Sequence, residues 1–231
     1  MSRTGTRVGL VEDHGLFAEA LSIALEMEGH QVRRTPLDDH ARGVASALPA
    51  LLRWQPGIVL LDLDLGVYGN GMTLVEPLSR AGVGVIVVTG NRERSRWGEA
   101  LGRGARLVLP KNSELNDILA AIRRVHEGLP VISAAERNEL VELWRGEHRA
   151  EQEARERLDR LTRRESEVLG HLHLGRQVRE IARLSFVSEA TVRTQVKSIL
   201  TKLEVSSQIA AVGVAHQARW QPPESVLQAD V

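Results

Sequence analysis

The first half of the chain places acidic residues, a threonine and a lysine at the ends of short apolar runs. In chain order these residues are Glu12, Asp13, Asp62, Thr89 and Lys111. Carboxylates that lie close together repel one another unless a cation sits among them, and hard oxygen ligands suit Mg²⁺. With an ammonium and a hydroxyl group opposite, such a site can balance the charge of a transferred phosphoryl group. Asp62 is the expected carboxylate nucleophile.

The apolar runs themselves predict five β-strands. They extend over Thr6 to Val11, His30 to Thr35, Gly57 to Asp62, Gly84 to Thr89 and Arg106 to Leu109. Helical patterns separate them, which predicts an α/β doubly wound, five-stranded parallel sheet. Because the carboxyl ends of parallel strands meet at one rim, we expect the residues named above to converge there.

The first of these helices is predicted from apolar spacing after the first strand. Leu16, Ala20, Ile23 and Met27 recur at helical intervals, and Gly29 follows as a C-terminal cap signal. The spacing therefore places a helix between the first two strands.

The C-terminal part of the chain predicts a small all-α domain. A capping box from Thr162 to Glu165 opens a helix that ends near Gly175, a short helix follows from about Val178, and Ser188 caps a third helix. Two short helices joined by a brief turn are typical of a helix-turn-helix, in which the second helix enters the major groove of double-stranded DNA.

The third helix of this domain has two distinct faces. Its apolar positions, which follow helical spacing and are expected to face the core, are Val192, Val196, Ile199 and Leu203. The exposed side is expected to carry Thr194 and Lys197, with Arg193 on its flank. Two cations four residues apart favour a polyanion partner.

Composition sets the broad class. The 231 residues carry no net charge and no cysteine, but the block from 161 to 216 holds 8 basic and 5 acidic side chains. A polyanion is therefore expected to dock there. The absence of cysteine, of an apolar membrane span and of a signal core predicts a cytoplasmic protein with no membrane partner.

These patterns divide the chain into four parts. Residues 1–130 form the α/β domain, and 131–160 form a helical linker that opens with a capping box from Ser133 to Glu136. Residues 161–218 form the helix-turn-helix domain, and 219–231 form a flexible tail. The last helix of the third part, from Ser207 to about Ala218, is apolar around much of its circumference. That pattern suits either dimerisation or packing within the domain.

Residues from roughly Arg7 to Glu127 resemble the receiver domain of two-component response regulators, a flavodoxin-like fold. The resemblance implies that Asp62 is the phosphoacceptor, that Thr89 is the switch hydroxyl, and that Lys111 contacts the phosphoryl group. It also implies an enzyme partner, a sensor histidine kinase.

The same resemblance implies a Mg²⁺ site. Glu12 and Asp13 correspond to its acidic pair, Asp13 and Asp62 would ligate the ion through their side chains, and Asp64 would do so through its backbone carbonyl.

Three positions depart from the receiver pattern. Gly66 stands where proline is common, Val108 stands where an aromatic switch residue is usual, and Pro110 precedes Lys111 instead of following it. These departures leave open a pseudo-receiver in a regulator that acts without phosphorylation.

A phosphatase is a further alternative. Asp62-Leu-Asp64 is similar to the Asp-x-Asp of haloacid-dehalogenase-type enzymes, which also form an aspartyl phosphate on Mg²⁺. Those enzymes place further acidic ligands downstream, whereas here the acidic pair lies upstream. A non-enzyme is therefore the favoured interpretation.

Four motifs of the C-terminal part resemble the LuxR/NarL-type DNA-binding domain. They are Leu-Thr-x-Arg-Glu at 161–165, Glu-Ile-Ala at 180–182, Ser-x-x-Thr-Val at 188–192 and Lys-Leu at 202–203. The resemblance implies that Arg193, Thr194 and Lys197 point at base edges or nearby phosphates. Ser188, Thr191 and Lys202 would contact the DNA backbone.

Taken together, the two resemblances identify the chain as a member of the NarL/LuxR response regulators. They imply that a histidine kinase phosphorylates Asp62 and that phosphorylation controls homodimerisation and DNA binding.

Overall fold

The structure is a computed structural model that describes residues 5–37 and 43–228. The chain divides into two compact units, Met1–Arg145 and Gly146–Val231, called here the N-terminal and C-terminal units. Among the described residues, no helix combines the length and the apolar character that crossing a membrane requires.

The N-terminal unit contains one parallel sheet of five strands in the order β2-β1-β3-β4-β5. The strands are β1 (Arg7–Val11), β2 (Gln31–Arg34), β3 (Ile58–Leu61), β4 (Gly84–Thr89) and β5 (Leu107–Pro110). All five predicted strands are confirmed, with ends shifted by a residue at most positions. Every residue of β3 and β4 is buried, as expected for parallel strands between two helix layers.

Six helices begin among the described residues of this unit. They are α1 (Gly15–Met27), α2 (Leu48–Trp54), α3 (Met72–Arg80), α4 (Arg94–Gly102), α5 (Leu115–His126) and α6 (Ala134–Leu158). Short 3₁₀ turns cover Val44–Ala47 and Gly66–Tyr68. One apolar cluster joins the sheet to α1 and α5, and another joins it to α2, α3, α4 and the start of α6. The doubly wound prediction is therefore confirmed.

Helix α1 is apolar on two opposite sides. The predicted helix is present, and Gly29 follows it at φ +88° as the predicted cap. The residues that face the core are Ala18, Leu21 and Leu25. The stripe that revealed the helix in the sequence faces solvent, since Leu16 is 87% exposed and Met27 84%.

Helix α6 belongs to both units. Ser133 Oγ accepts a hydrogen bond from the Glu136 backbone N–H, as the predicted capping box requires. Leu140 is buried in the core of the N-terminal unit, whereas Ala154 and Leu158 are buried in the core of the C-terminal unit. The predicted linker is thus a single helix whose two ends each complete a domain core.

As far as residue 228, the C-terminal unit contains the end of α6 and five further helices. These are α7 (Arg163–His173), α8 (Val178–Leu184), α9 (Glu189–Lys202), α10 (Gln208–Gln217) and α11 (Glu224–Leu227). Thr162 caps α7 in a full capping box, and Ser188 caps α9. The helix bounds predicted for this part agree with the structure to within a residue or two.

The segment after α10 differs from the prediction of a flexible tail. Val226 is buried, and Pro222, Pro223 and Val226 lie against Gly170 of α7. Because Gly170 has no side chain, the two prolines can approach the α7 backbone closely. Residues 229–231 lie outside the described residues.

Candidate functional site

The ends of β1, β3 and β4 bring the predicted phosphoryl-site residues to one rim of the sheet. Val11 pairs with Leu61 in the register of β1 and β3, so Glu12 and Asp62 each follow the last residue of neighbouring strands. Thr89 ends β4 and pairs with Pro110 of β5, which precedes Lys111. The parallel register therefore produces the convergence that the sequence predicts.

Lys111 lies at the centre of this rim and bridges two carboxylates. Its Nζ is 2.7 Å from Asp62 Oδ2 and 2.8 Å from Glu12 Oε1. Asp62 is only 2% exposed. The buried carboxylate and the half-buried ammonium thus compensate each other's charge.

Burial and charge act in opposite directions on these two groups. Burial raises the pKa of Asp62, although Lys111 and the backbone N–H of Asp64 both favour its charged form. Burial by itself would lower the pKa of Lys111, but the hydrogen bonds to Asp62 and Glu12 outweigh it and raise that pKa. Lys111 therefore carries its positive charge at neutral pH.

The donor atoms at this rim suit a hard cation. One ligand atom from each of Glu12, Asp13, His14 and Asp62 lies within 4.8 Å of the others. Asp13 Oδ1 is buried and has no hydrogen bond of acceptable geometry among the described residues, although His14 Nδ1 lies 2.8 Å away. A buried carboxylate oxygen whose nearest nitrogen is out of hydrogen-bond geometry fits a bound cation, and the predominance of oxygen ligands suits Mg²⁺.

His14 is a member of this cluster that sequence reasoning missed. Its Nδ1 lies 2.9 Å from Glu12 Oε1 and 3.0 Å from Lys111 Nζ. The hydrogen bond to Glu12 raises the pKa of His14, although the charge of Lys111 opposes this. Its place directly after the acidic pair was the only signal in the sequence.

The loop after β3 explains one departure from the receiver pattern. Gly66 adopts φ +55°, which proline cannot reach because its ring fixes φ near −65°. A side chain at this position would also begin 3.2 Å from Asp13 Oδ2. Asp64, earlier in the loop, donates its backbone N–H to Asp62 Oδ1 at 3.2 Å, and its side chain lies 3.4 Å from Arg96 Nη1.

Thr89 is fully buried and connects the rim to helix α4. Its Oγ1 accepts a hydrogen bond from the Asn91 backbone N–H at 3.1 Å. The Asn91 carbonyl in turn accepts a hydrogen bond from Trp97 Nε1 at 2.8 Å. This connection could not be predicted from local patterns, because the hydrogen bond between Asn91 and Trp97 depends on how the loop folds.

The two faces predicted for α9 are present in the C-terminal unit. The side chains of Val192, Val196, Ile199 and Leu203 are buried as predicted. Arg193, Thr194 and Lys197 are exposed, and Arg193 Nη2 lies 3.2 Å from Glu189 Oε2 one turn earlier. Arg179 and Arg183 of α8 are also exposed, which adds positive charge on the first helix of the pair.

Ser188 and Thr191 shape the start of this helix. Ser188 Oγ accepts a hydrogen bond from the Thr191 backbone N–H at 3.1 Å and lies 2.9 Å from Thr191 Oγ1. Both hydroxyl groups are exposed at the N-terminus of α9, where the helix dipole favours an anion.

Glu165 forms the polar centre of the C-terminal unit. Its carboxylate accepts hydrogen bonds from Lys202 Nζ at 2.6 Å, Ser198 Oγ at 2.6 Å and the Thr162 backbone N–H at 2.7 Å. Burial opposes its ionisation, but these three donors outweigh burial and lower the pKa of Glu165 to about 2. Lys202, predicted to contact the DNA backbone, thus also joins α9 to α7.

Replacing Glu165 by glutamine is expected to destabilise the C-terminal unit in a pH-dependent way. Because folding lowers the pKa from 4.5 to about 2, the carboxylate stabilises the fold fully above pH 4.5 and loses that effect as the pH falls toward 2. With Lys202 still partly exposed, we expect Glu165→Gln to cost about 2 kcal/mol at pH 7. That cost is expected to fall by about half between pH 5 and pH 3.

Hydrogen exchange of residues 163–217 in the full chain, at increasing urea, measures this cost for one unit alone. Glu167→Gln is the matched control, because Glu167 lies on the same helix and, in the part of the chain that the structure describes, its ion pairs are with the exposed Arg163 and Arg164. The control is expected to cost less than about 1 kcal/mol. Equal costs for the two variants at pH 7 would contradict the role of Glu165.

Two protein families match this chain, one for each part. Residues 8–123, half of the chain, match the family described as "Response regulator receiver domain". Residues 159–215 match the family described as "Bacterial regulatory proteins, luxR family". The first range contains the rim site, and the second contains the helix-turn-helix.

Individual relatives are similar over nearly their whole length. The nitrate/nitrite response regulator protein NarP of Escherichia coli is 30% identical, over 94% of this chain and 97% of that protein. The transcriptional regulatory protein LnrK of Bacillus subtilis is 29% identical, over 89% and 94%. Among solved structures, the RcsB response regulator of Salmonella typhimurium aligns with a TM-score of 0.49 at 24% identity, over 92% and 98%.

Proposed function

Since the chain belongs to the response regulators that join a receiver domain to a LuxR-type DNA-binding domain, we propose that phosphorylation of Asp62 by a sensor histidine kinase controls its dimerisation and its binding to DNA. The observation that carries this proposal is the buried Asp62 carboxylate, held at 2.7 Å by Lys111 on a rim of further acids.

The geometry suits Asp62 as the phosphoacceptor. One of its oxygens would form the new bond to phosphorus, and the ammonium of Lys111 would neutralise charge on the incoming phosphoryl group. Thr89 ends the neighbouring strand and offers a hydroxyl group to a phosphoryl oxygen. Asp64 holds the other side of the Asp62 carboxylate through its backbone N–H.

A Mg²⁺ ion is the cofactor that this donor set suits. Asp13 and Asp62 would hold it through side-chain oxygens and Asp64 through its backbone carbonyl, with Glu12 close by. When bound, the ion supplies positive charge that offsets the repulsion between the carboxylates and the phosphoryl oxygens. The buried Asp13 Oδ1, which lacks a hydrogen bond in acceptable geometry, supports its role as a ligand.

The DNA-binding half of the proposal depends on α9. Arg193, Thr194 and Lys197 would meet base edges and nearby phosphates, and Ser188, Thr191 and Lys202 would contact the backbone. Because one such helix reads one half-site, a homodimer on two half-sites is the expected DNA-bound form. Ile209 of α10 is 86% exposed, which supports dimerisation through that helix, whereas Ala211, Val214 and Ala215 pack inside the domain.

Val108 favours one alternative, a regulator that acts without phosphorylation. Val108 is a small, buried, apolar residue of β5. No aromatic side chain at that position can therefore change its orientation when Thr89 moves. Such a regulator would bind DNA equally well with and without a phosphoryl group. A phosphatase, the other alternative, would release phosphate from a generic phosphate ester.

Binding to labelled DNA, with and without a small acyl phosphate and Mg²⁺, tests the proposal. DNA fragments are first selected by the full-length protein from a random pool. Phosphorylation is expected to tighten binding by roughly tenfold or more, because pairing converts the second half-site contact into an intramolecular one. Unchanged affinity of a protein shown to be phosphorylated would favour the phosphorylation-independent regulator.

A further inference from the structure

Helix α4 and the first three turns of α6, residues 134–145, are in direct backbone contact within the N-terminal unit. A Cβ atom on Gly98 would lie 1.9 Å from the Leu140 carbonyl oxygen, and one on Gly102 would lie 2.7 Å from the Trp144 ring. These two glycines lie one turn apart on the same face of α4. Only glycine at both positions allows the two helices to approach this closely.

Polar contacts hold the same pair of helices at both ends of α4. Arg94 Nη2 lies 2.9 Å from Glu139 Oε1 near the start of α4. Arg137 donates to the Leu101 carbonyl at 2.6 Å and to the Ala105 carbonyl at 3.0 Å. A guanidinium at the C-terminal carbonyls of a helix is favoured by the helix dipole. The linker helix is therefore docked on α4 by shape and by charge.

Trp97 joins this docked pair to the phosphoryl site. It lies on α4, and its ring packs in the same apolar cluster as Leu140 and Trp144. Its Nε1 donates to the Asn91 carbonyl at 2.8 Å, and the Asn91 backbone N–H donates to Thr89 Oγ1 at 3.1 Å. Two consecutive hydrogen bonds thus connect the buried Thr89 hydroxyl at the rim to α4, the helix that packs against α6.

We propose that Trp97 is the positioning residue through which the Asp62 site controls the packing of α4 against residues 134–145. This inference rests on the proposed phosphorylation of Asp62. To contact a phosphoryl oxygen, the Thr89 hydroxyl moves toward Asp62 and away from the Asn91 backbone N–H. The loop and Trp97 follow, and α4 shifts.

A small shift of α4 is enough to release α6. Close-packed helices have discrete arrangements and do not deform continuously. With the Leu140 carbonyl in contact with Gly98, a displacement on the scale of one methyl group removes the fit. Because α6 continues into the C-terminal unit, its release changes the constraint on the DNA-binding domain.

Hydrogen exchange of residues 134–145 in the full-length protein tests the proposal. The probe is beryllofluoride with Mg²⁺, a mimic of the phosphoryl group. In the wild type, the mimic is expected to speed exchange of the Asn91 backbone N–H, which loses its hydrogen bond to Thr89 Oγ1, and to speed exchange in 134–145. Trp97→Phe keeps the ring but loses the donor, so exchange in 134–145 is expected to rise roughly fivefold without the mimic, the effect of one ordinary hydrogen bond. The mimic is then expected to add little.

Trp54→Phe is the matched control, because Trp54 lies on α2 and its ring contacts Arg33 rather than α4. This variant is expected to respond as the wild type does. A tryptophan with a merely structural role would raise exchange in 134–145 yet leave the response to the mimic intact. That result for Trp97→Phe would overturn the proposal.

Gly98→Ala provides a second, independent variant. Its methyl group is expected to displace α6, so exchange in 134–145 rises while the 89–93 loop still responds to the mimic. Gly146→Ala is its control, because a Cβ on Gly146 meets no atom within 4 Å. Faster exchange of the Asn91 backbone N–H in the wild type without any change in 134–145 would refute the coupling alone. Absence of any response to the mimic would contradict the phosphoacceptor assignment itself.

Discussion

The Asp62→Asn protein is expected to incorporate no phosphoryl group from a small acyl phosphate and Mg²⁺, whereas the wild type is labelled on this residue. The substitution keeps the size and shape of the side chain but removes the anionic oxygen that would attack phosphorus. The Asp62 carboxylate is buried, and its oxygens contact Lys111 Nζ and the Asp64 backbone N–H. Another carboxylate is therefore not expected to accept the phosphoryl group in its place. The measurement is mass spectrometry of the intact protein, followed by peptide mapping.

Asp64→Asn is the matched control for this loss. Its carboxylate lies two residues away, is exposed, and contacts only Arg96 among the described residues. The backbone carbonyl proposed to ligate Mg²⁺ is unchanged by the substitution, so labelling is expected to persist. Equal labelling of Asp62→Asn and wild type would show that the acceptor is another residue. Absence of labelling in wild type and both variants would favour the regulator with a pseudo-receiver.

The convergence of the rim residues could be predicted because the strand order of a parallel sheet decides it. Glu12, Asp62 and Thr89 each stand at a strand end, and strand ends share a rim whatever the details of packing. Helical periodicity and capping residues likewise predicted the helices of the C-terminal unit. Thr162 and Ser188 cap the N-termini of α7 and α9 as predicted.

Burial of a particular helix face could not be predicted in the same way. Two apolar stripes run along α1, and periodicity cannot tell which one meets the sheet. The stripe containing Leu16 and Met27 faces solvent, whereas Leu21 and Leu25 face the core. Packing against β1 and α5 decides between them, and that depends on the whole fold.

Contacts between residues far apart in the chain could not be predicted from the sequence either. In the sequence, Gly98 and Gly102 are residues that lower the stability of a helix. The close packing of α6 against α4 explains why a side chain is absent at both positions. The capping role of Glu165 was predicted from Thr162, but its bond to Lys202, 37 residues away, was not. Such pairs depend on tertiary distances that local patterns do not contain.

Replacing both Arg193 and Lys197 by alanine is expected to weaken specific DNA binding by more than about tenfold while the fold persists, since each base or phosphate contact is worth about 1–3 kcal/mol. Both side chains are exposed, Lys197 on the side of α9 away from its buried Val192 and Val196 and Arg193 on the flank of that side. Within the described residues Lys197 makes no ion pair, so its removal leaves no buried charge behind. Fluorescence anisotropy with the selected DNA fragment measures the loss.

The two single variants are expected to affect DNA binding in different ways. Lys197→Ala is expected to weaken binding to all sequences alike and to lower the slope of log affinity against log salt by about one, as loss of one phosphate contact does. Arg193 must exchange Glu189 for a DNA group, so Arg193→Ala is expected to relax sequence preference more than it changes the salt slope.

Arg163→Ala is the control for charge. It removes one exposed cation from α7 that already pairs with Glu167, and binding is expected to change less than twofold. If Arg163→Ala weakened binding as much as Lys197→Ala at every salt concentration, net charge alone would account for the loss. The exposed face of α9 would then have no special role, and Arg179 and Arg183 of α8 would become the next candidates for the DNA contact.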